Sequence, residues 1–409
     1  MLFRREYIRH IDWVLLVTVF LLLGVGLLLV FSATQPIGKS DRHDLFPRQL
    51  LWVATGLIVM CFVAVIPQRV FDGLAPYFYS VAVLLLTLVL FAGTEAFGAR
   101  RWLAFGSLRF QPSEFSKFAL IILLARFYSK PRTNMKYSRN FIIPLLLSVL
   151  PVLLILKEPD LGSAISILFI FLAMAYWAGT PKLYLILMLS PVLSTCFGFI
   201  TPLFVAFVFC LGFFLYYARI PLSISLPSFF VNIALGAGSP LVWRSLEQYQ
   251  RDRILTFIDP GKDPLGAGYQ IIQSKIAIGS GGVFGKGFLE GTQKALSFLP
   301  AQHTDFIFSV LGEEFGLLGS LFVILLFFVL FLRCISISVK SPSKLGSLLV
   351  VGASASIFYN AVVNTWMAVG LAPVTGIPLP FVSYGGSSLL TTLSLAGLVF
   401  NVHLRRHEF

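Results

Sequence analysis

The chain has 409 residues, of which 57% are hydrophobic, 15% aromatic and only 12% charged, with a formal net charge of +13 and a mean hydropathy of +0.88. Soluble domains average about 45–50% apolar and about 25% charged, so 18 acidic side chains beside 41 phenylalanines cannot clothe a globular surface in polar groups. A water-soluble domain and a disordered chain are both excluded, which leaves an integral membrane protein.

A helix needs about 20 apolar residues to cross the bilayer, whereas barrel strands would show short alternating segments. Twelve apolar runs lie near residues 12–33, 50–67, 73–94, 113–128, 140–157, 161–179, 183–200, 202–218, 222–243, 304–332, 346–371 and 384–404. They predict an all-α polytopic membrane protein with about 12 transmembrane helices, forming one membrane domain over 1–409 without internal repeats. Pro191, Pro202, Pro221 and Pro227 break the stretch 183–243, which holds one helix or three. Either choice leaves the parity unchanged. Arg4, Arg5 and Arg9 precede the first run, and Arg126, Lys130, Arg132, Lys136 and Arg139 share a short loop without an acid. Arg333, Lys340, Lys344, Arg405 and Arg406 fall on the same side. Both termini are therefore predicted to be cytoplasmic. The first run enters Thr34-Gln35-Pro36 without a cleavage site and reads as an uncleaved anchor. Anchoring against anionic lipid accounts for the basic balance without nucleic acid. Cys61, Cys196, Cys210 and Cys334 have no spacing that implies a disulfide framework or a zinc site.

The informative segments are the polar ones between these runs. The outer loop 95–112 sets Arg100, Arg101 and Arg109 against Glu95 alone, an excess that calls for an anionic contact. In RFQPSEFSKF, Glu114 and Lys117 share one face of a helix's first turn. They either pair with each other, or Glu114 holds a divalent cation and Lys117 a phosphate. KEPDLGSA places Lys157, Glu158 and Asp160 in a tight turn, with Asp160 as helix cap. A large external loop, 244–303, carries IIQSKIAI, amphipathic enough to lie on the membrane, followed by GSGGVFGKGFLEG. Its glycines either cradle a phosphate with backbone N–H groups, aided by Lys275 and Lys286, or merely permit re-entrant turns.

LPAQHTDFIFSVLGEEFG sets His303, Thr304 and Asp305 at the outer mouth of a long helix. Two compatible readings apply: Thr304 or Asp305 caps the helix, and Asp305 is a base for a sugar hydroxyl, its pKa raised by apolar neighbours such as Phe306 and Phe308. Glu313 and Glu314 lie inside that helix, where an unpaired acid costs at least ~2.5 kcal/mol, so each needs a cavity or a partner. The last external loop, APVTGIPLPFVSYGGSS, offers Ser383, Tyr384, Ser387 and Ser388 without a charge. It suits sugar recognition or re-entrant packing.

Taken together, RW with RFQPSEFSK, EPDLGSA, DPLGAGYQIIQSKIAIGSGG, FLPAQHTDFIFSVLGEEFG and GIPLPFVSYGGSS resemble the SEDS proteins of bacterial cell-wall synthesis. SKIAIGSGG and GTQKALSFLP are nearer the elongation branch than the division branch. The resemblance implies a peptidoglycan glycosyltransferase of the inner membrane that polymerises lipid II on the outer face. It implies that Asp305 is the catalytic base and that Glu114, Lys117 and Trp102 are functional. Arg101, Arg109, Lys275, Lys286, His303 and Ser383 are the further substrate-binding candidates. A divalent cation, Mg²⁺ or Mn²⁺, is expected at Glu114. The implied partners are a class B penicillin-binding protein and other elongation-complex proteins. Family members usually have ten spans, so the two surplus helices lie in 183–243. A lipid-precursor flippase and a non-catalytic scaffold are the rival readings.

Overall fold

The computed structural model describes residues 11–34, 45–96, 99–106, 108–131, 133, 135, 137–246, 248–259, 267–292 and 302–406. Each apolar run is helical. In chain order the helices are α1 (Trp13–Ala33), α2 (Leu45–Val65), α3 (Gln68–Ala92), α4 (Pro112–Ser129), α5 (Arg139–Lys157), α6 (Leu161–Trp177), α7 (Lys182–Phe197) and α8 (Thr201–Tyr217). They continue as α9 (Leu222–Ala237), α10 (Ser239–Ser245), α11 (Gln248–Ile258), α12 (Ala267–Ser280), α13 (Ile307–Lys340), α14 (Lys344–Val369) and α15 (Gly386–Leu404). Among the described residues seven helices are long and apolar enough to span a bilayer, or eight if the bent pair α9 and α10 is one span. α6, α7 and α8 are apolar but shorter. Arg4, Arg5, Arg9, Arg132 and Lys136 lie outside the described residues.

One expectation is corrected here, because the chain is not purely α-helical. The Arg-rich outer loop folds as a three-stranded antiparallel sheet, β1 (Thr94–Ala96), β2 (Ala99–Phe105) and β3 (Leu108–Phe110). Arg100 pairs with Glu95 across β1 and β2, and Ala104 with Arg109 across β2 and β3. Gly106, at φ 65°, turns the second hairpin. ARRWLAF alternates in the manner of a strand, but seven residues between membrane helices are easily read for their charge alone.

α14 is the axis of the fold, packing against α4, α6, α12, α13 and α15, while α1 lies on α13 and α2 on α15. The chain after α14 turns back into this bundle: a side chain at Gly26 of α1 would meet the Phe381 carbonyl at 2.6 Å. Helices α7 to α9 form a flank with its own small core of Leu187, Leu211, Leu215 and Ile220, joined to the rest through few contacts, chiefly with α6 and α10. There Asn232 donates to the Ser190 hydroxyl (2.9 Å), and Ser194 donates to the Asn232 carbonyl (2.6 Å).

The two ends of the bundle are chemically distinct. At one, Asp12 before α1 meets Arg333 of α13 and lies close to His403 of α15. At the other, Gln302 donates to the Ala33 carbonyl at the end of α1 (3.0 Å), and the 302–306 turn meets the 375–384 segment.

Candidate active site

Asp305 sits in the turn that leads into α13, and its backbone is held from three directions. Asn364 of α14 donates to the carbonyls of Asp305 (2.8 Å) and Ile377 (2.7 Å). Ser383 donates to the Thr304 carbonyl (2.6 Å) while accepting from the Leu379 N–H (2.8 Å). The Tyr384 N–H donates to the His303 carbonyl (2.9 Å), and the two rings meet edge to face at 5.7 Å. Ser383 and His303 therefore fix the turn that carries Asp305. The N-cap of α13 is Phe306, with no side-chain cap bond, so the capping reading of Asp305 or Thr304 is corrected.

The Asp305 carboxylate is half-buried and faces Gly376, where a Cβ would stand 3.6 Å from Oδ2. Burial raises its pKa from 3.8 to about 6, against the pull of Arg253, a hydrogen bond from Thr304 and the charge of Arg101, and with a push from Asp160. At neutral pH the group is an ionised carboxylate with more basicity than a surface aspartate. That is the requirement for a general base.

The α5–α6 turn brings the second carboxylate to this place. Asp160 caps α6 as expected, its Oδ1 accepting from the Ser163 N–H (3.1 Å) and its Oδ2 from the Ser163 hydroxyl (2.8 Å). Gln111 reaches Asp160 Oδ2 at 3.3 Å, which joins the sheet to the same turn. Arg101 donates to the carbonyls of Glu158 (3.1 Å) and Pro159. Glu158 is 1% exposed, and burial, with the nearby Asp160 adding and Arg101 subtracting, pushes its pKa up to about 9. It is therefore a neutral acid at physiological pH.

The remaining candidates divide into those at the site and those committed elsewhere. Trp102 is half-buried and Arg109 exposed on the sheet beside Arg101, and the Arg109 carbonyl accepts from Ser387 (3.3 Å). Lys117 is 2% exposed with its ammonium 2.6 Å from Glu114 Oε1, so the mutual-pairing reading holds and Lys117 presents no open charge to a phosphate. The pairing also bears on the expected cation. Glu114 spends its charge on Lys117, and among the described residues no group of three His, Cys, Asp or Glu side chains stands close enough to hold a metal ion. These residues do not fit a divalent cation at Glu114.

Lys286 is also paired: its ammonium lies 2.8 Å from Glu313 Oε1 and 2.7 Å from the Thr292 hydroxyl. Ser32 donates to Glu314. The glycine-rich segment is a packing element, because the N–H groups of Lys286 and Gly287 donate to the carbonyls of Glu313 (3.0 Å) and Glu314 (3.1 Å). Lys275 of α12 lies against Gly370, the left-handed C-cap of α14, where a cation complements the helix end.

Sequence reasoning passed over Arg253, Gln111 and Asn364. A buried amide in an apolar helix is itself a signal, and Asn364 carries it. Arg253 had none, since it is one of seven cations in a long loop.

A family model described as Cell cycle protein, covering the FtsW, RodA and SpoVE proteins, matches residues 12–208 and 201–408. The peptidoglycan glycosyltransferase MrdB of Escherichia coli K12 is 37% identical over 398 residues, covering 97% of this chain and 94% of that protein. The peptidoglycan glycosyltransferase RodA of Treponema pallidum is 34% identical over 438 residues, with 98% and 99% coverage. Among solved structures, a chain of a peptidoglycan synthase complex that coordinates polymerization and crosslinking superposes with a TM-score of 0.72 at 31% identity, covering 98% and 99% of the two chains. Thermus thermophilus RodA superposes with a TM-score of 0.65 at 27% identity, covering 97% and 98%.

Proposed function

This chain belongs to the FtsW, RodA and SpoVE family of cell cycle proteins and is a multi-pass membrane glycosyltransferase of peptidoglycan synthesis, and on that premise we propose that it polymerises lipid II with Asp305 as general base. The observation that carries the proposal is the half-buried Asp305 carboxylate, facing Gly376 and raised to about 6 within the field of Arg101 and Arg253.

Transfer from a lipid diphosphate needs a base for the acceptor's 4-hydroxyl and positive charge for the departing diphosphate. Asp305 takes the hydroxyl proton as the oxygen attacks the anomeric carbon. The bond from that carbon to the diphosphate breaks, and the lipid diphosphate leaves with the electron pair. Arg101, Arg109 and Arg253 supply the charge, and no general acid is required. Inversion at the anomeric carbon follows from a single displacement. Glu158 is neutral, so it is unsuited to serve as a second nucleophile.

The topology consistent with this chemistry has twelve spans, α10 to α12 forming the outer segment. Both termini lie in the cytoplasm and Asp305 faces outward in the inner membrane. The basic residues Lys130, Arg139, Arg333, Lys340, Lys344, Arg405 and Arg406 support this sidedness. A class B penicillin-binding protein of the elongation complex is the expected partner, by analogy with the synthase complex.

The test is polymerisation of labelled lipid II by the purified protein with its transpeptidase partner, comparing wild type with Asp305→Ala, each with Mg²⁺ or a chelator. Glycan strands from wild type alone support the assignment, and a well-folded, active Asp305→Ala protein overturns it. No product from either, with lipid translocation or partner binding intact, moves the function to a flippase or a scaffold.

A further inference from the structure

The end of the bundle opposite Asp305 holds a feature that the polymerase chemistry does not use. Where α1 begins and α15 ends, a cavity of about 260 Å³ opens between Asp12, Trp13, Arg333, His403 and Arg406. A second pocket of about 20 Å³, room for one water, shares Arg333, His403 and Arg406 and places Lys340 of α13 next to the larger cavity. The size of the larger cavity approaches the ~300 Å³ lower end of small-ligand clefts.

Asp12 organises the wall. Its Oδ1 accepts from the Leu15 N–H (3.0 Å), while Oδ2 takes Arg333 Nε (3.1 Å) and Nη2 (2.5 Å), with His403 Nδ1 3.8 Å away. Burial pushes the Asp12 pKa up, but the Arg333 hydrogen bond, the Leu15 N–H and the charges of Arg333 and His403 outweigh it and hold the group below the usual range. Asp12 is thus a fixed anion, and it is the single carboxylate among the described lining residues. Arg333 and Arg406 set two basic side chains against it, and Lys340 adds a third from the adjoining pocket.

The rim is apolar and exposed. Trp13 is 61% exposed and Val14 48%, on the first turn of α1, with Ile335 and Val339 exposed on α13. Tryptophan on a membrane helix's first turn marks the headgroup level. A cation-rich cavity at that level with an apolar rim matches a phosphodiester that carries acyl chains. Free inorganic phosphate would satisfy the cations and leave the rim unused.

We propose that the larger cavity binds the headgroup of one anionic phospholipid, its phosphodiester at the Arg406 edge beside the Asp12–Arg333 pair, with Lys340 of the adjoining pocket adding charge nearby and the lipid's chains along α1 and α13. The site ties the first, antepenultimate and last described helices together at the end remote from Asp305, and the inference stands independently of the role given to Asp305.

The test uses full-length protein in nanodiscs of phosphatidylcholine with or without phosphatidylglycerol. Native mass spectrometry counts retained phosphatidylglycerol, and a photoactivatable analogue maps its position. Wild type is expected to retain one phosphatidylglycerol cross-linked near Trp13 or Arg406. The double variant Lys340→Gln, Arg406→Gln, which leaves the Asp12–Arg333 pair intact, is expected to bind it about thirty-fold more weakly. A control, Lys130→Gln with Arg139→Gln, removes basic charge outside the cavity and is expected to bind as wild type does. Equal loss in the control, cross-links elsewhere, or full displacement by inorganic phosphate would each overturn the proposal.

Discussion

At the scale of single residues, Asp305 carries the sharpest consequences. With its pKa raised to about 6, the proposed base is ionised above that pH and protonated below it, so polymerisation should fall on the acid side with a midpoint near pH 6. A pH–rate profile at saturating lipid II checks this, and an acid limb centred near pH 4 would contradict it. The same shift has a sign for stability. A raised folded-state value means that the fold disfavours the ionised form, so the carboxylate destabilises the native state above pH 6. Asp305→Asn should therefore melt at or above the wild-type temperature at pH 7.5 while losing polymerisation. An asparagine variant that unfolds would assign Asp305 a structural role instead. Asp305 was legible in the sequence because HTDF sits at the mouth of an apolar helix. Its basicity was not, because that depends on burial and on Arg253, Arg101 and Asp160 arriving from distant segments.

At the scale of elements, α4 and α13 show how helices inside a bilayer accommodate charge. Glu114 and Lys117 are one turn apart and buried together, so removing one partner strands the other. Lys117→Met should cost about 3–5 kcal/mol of stability, and the double variant Glu114→Gln, Lys117→Met should recover part of it. Thermal melts in detergent decide this, and additive losses would refute the coupling. In α13 the helix breaks at Gly316, φ 63°, where Leu317 and Leu318 donate to the Gly282 and Val283 carbonyls (3.0 and 3.2 Å) instead of continuing the ladder. A side chain at Gly316 would also stand 2.7 Å from the Val283 carbonyl. Gly316→Ala should destabilise by roughly 1–3 kcal/mol and loosen the 281–291 segment, as read by proteolysis. The crowded glycines announced close backbone approach in the sequence. They did not announce that the approach is to α13 rather than to a phosphate, since both uses need the same small residues.

For the whole molecule, the flank α7 to α9 stands apart from the site in both packing and polarity. Its core is its own and it touches the bundle chiefly through α6, so Asn232→Ala should increase protease sensitivity within 182–237 while polymerisation persists. Lost polymerisation in a folded variant would show that the flank participates in catalysis. The sequence by itself determined the membrane class, the positions of the helices and the family, and it singled out the aspartate proposed here as base. Each is written in local composition, in runs of about 20 apolar residues and in contiguous motifs, and the bilayer forces such runs into helices. Only the tertiary structure decided which charges face the site. Lys117 and Lys286 look like anion ligands along the chain, yet each is taken by a carboxylate, because an ion buried in a medium of low dielectric needs a nearby counter-charge. Arg101 and Arg253 act on Asp305 through their charge because a small sheet and an outer helix bring them to its end of the bundle. That convergence depends on the packing of segments about 50 to 200 residues distant from Asp305, and no local pattern encodes it.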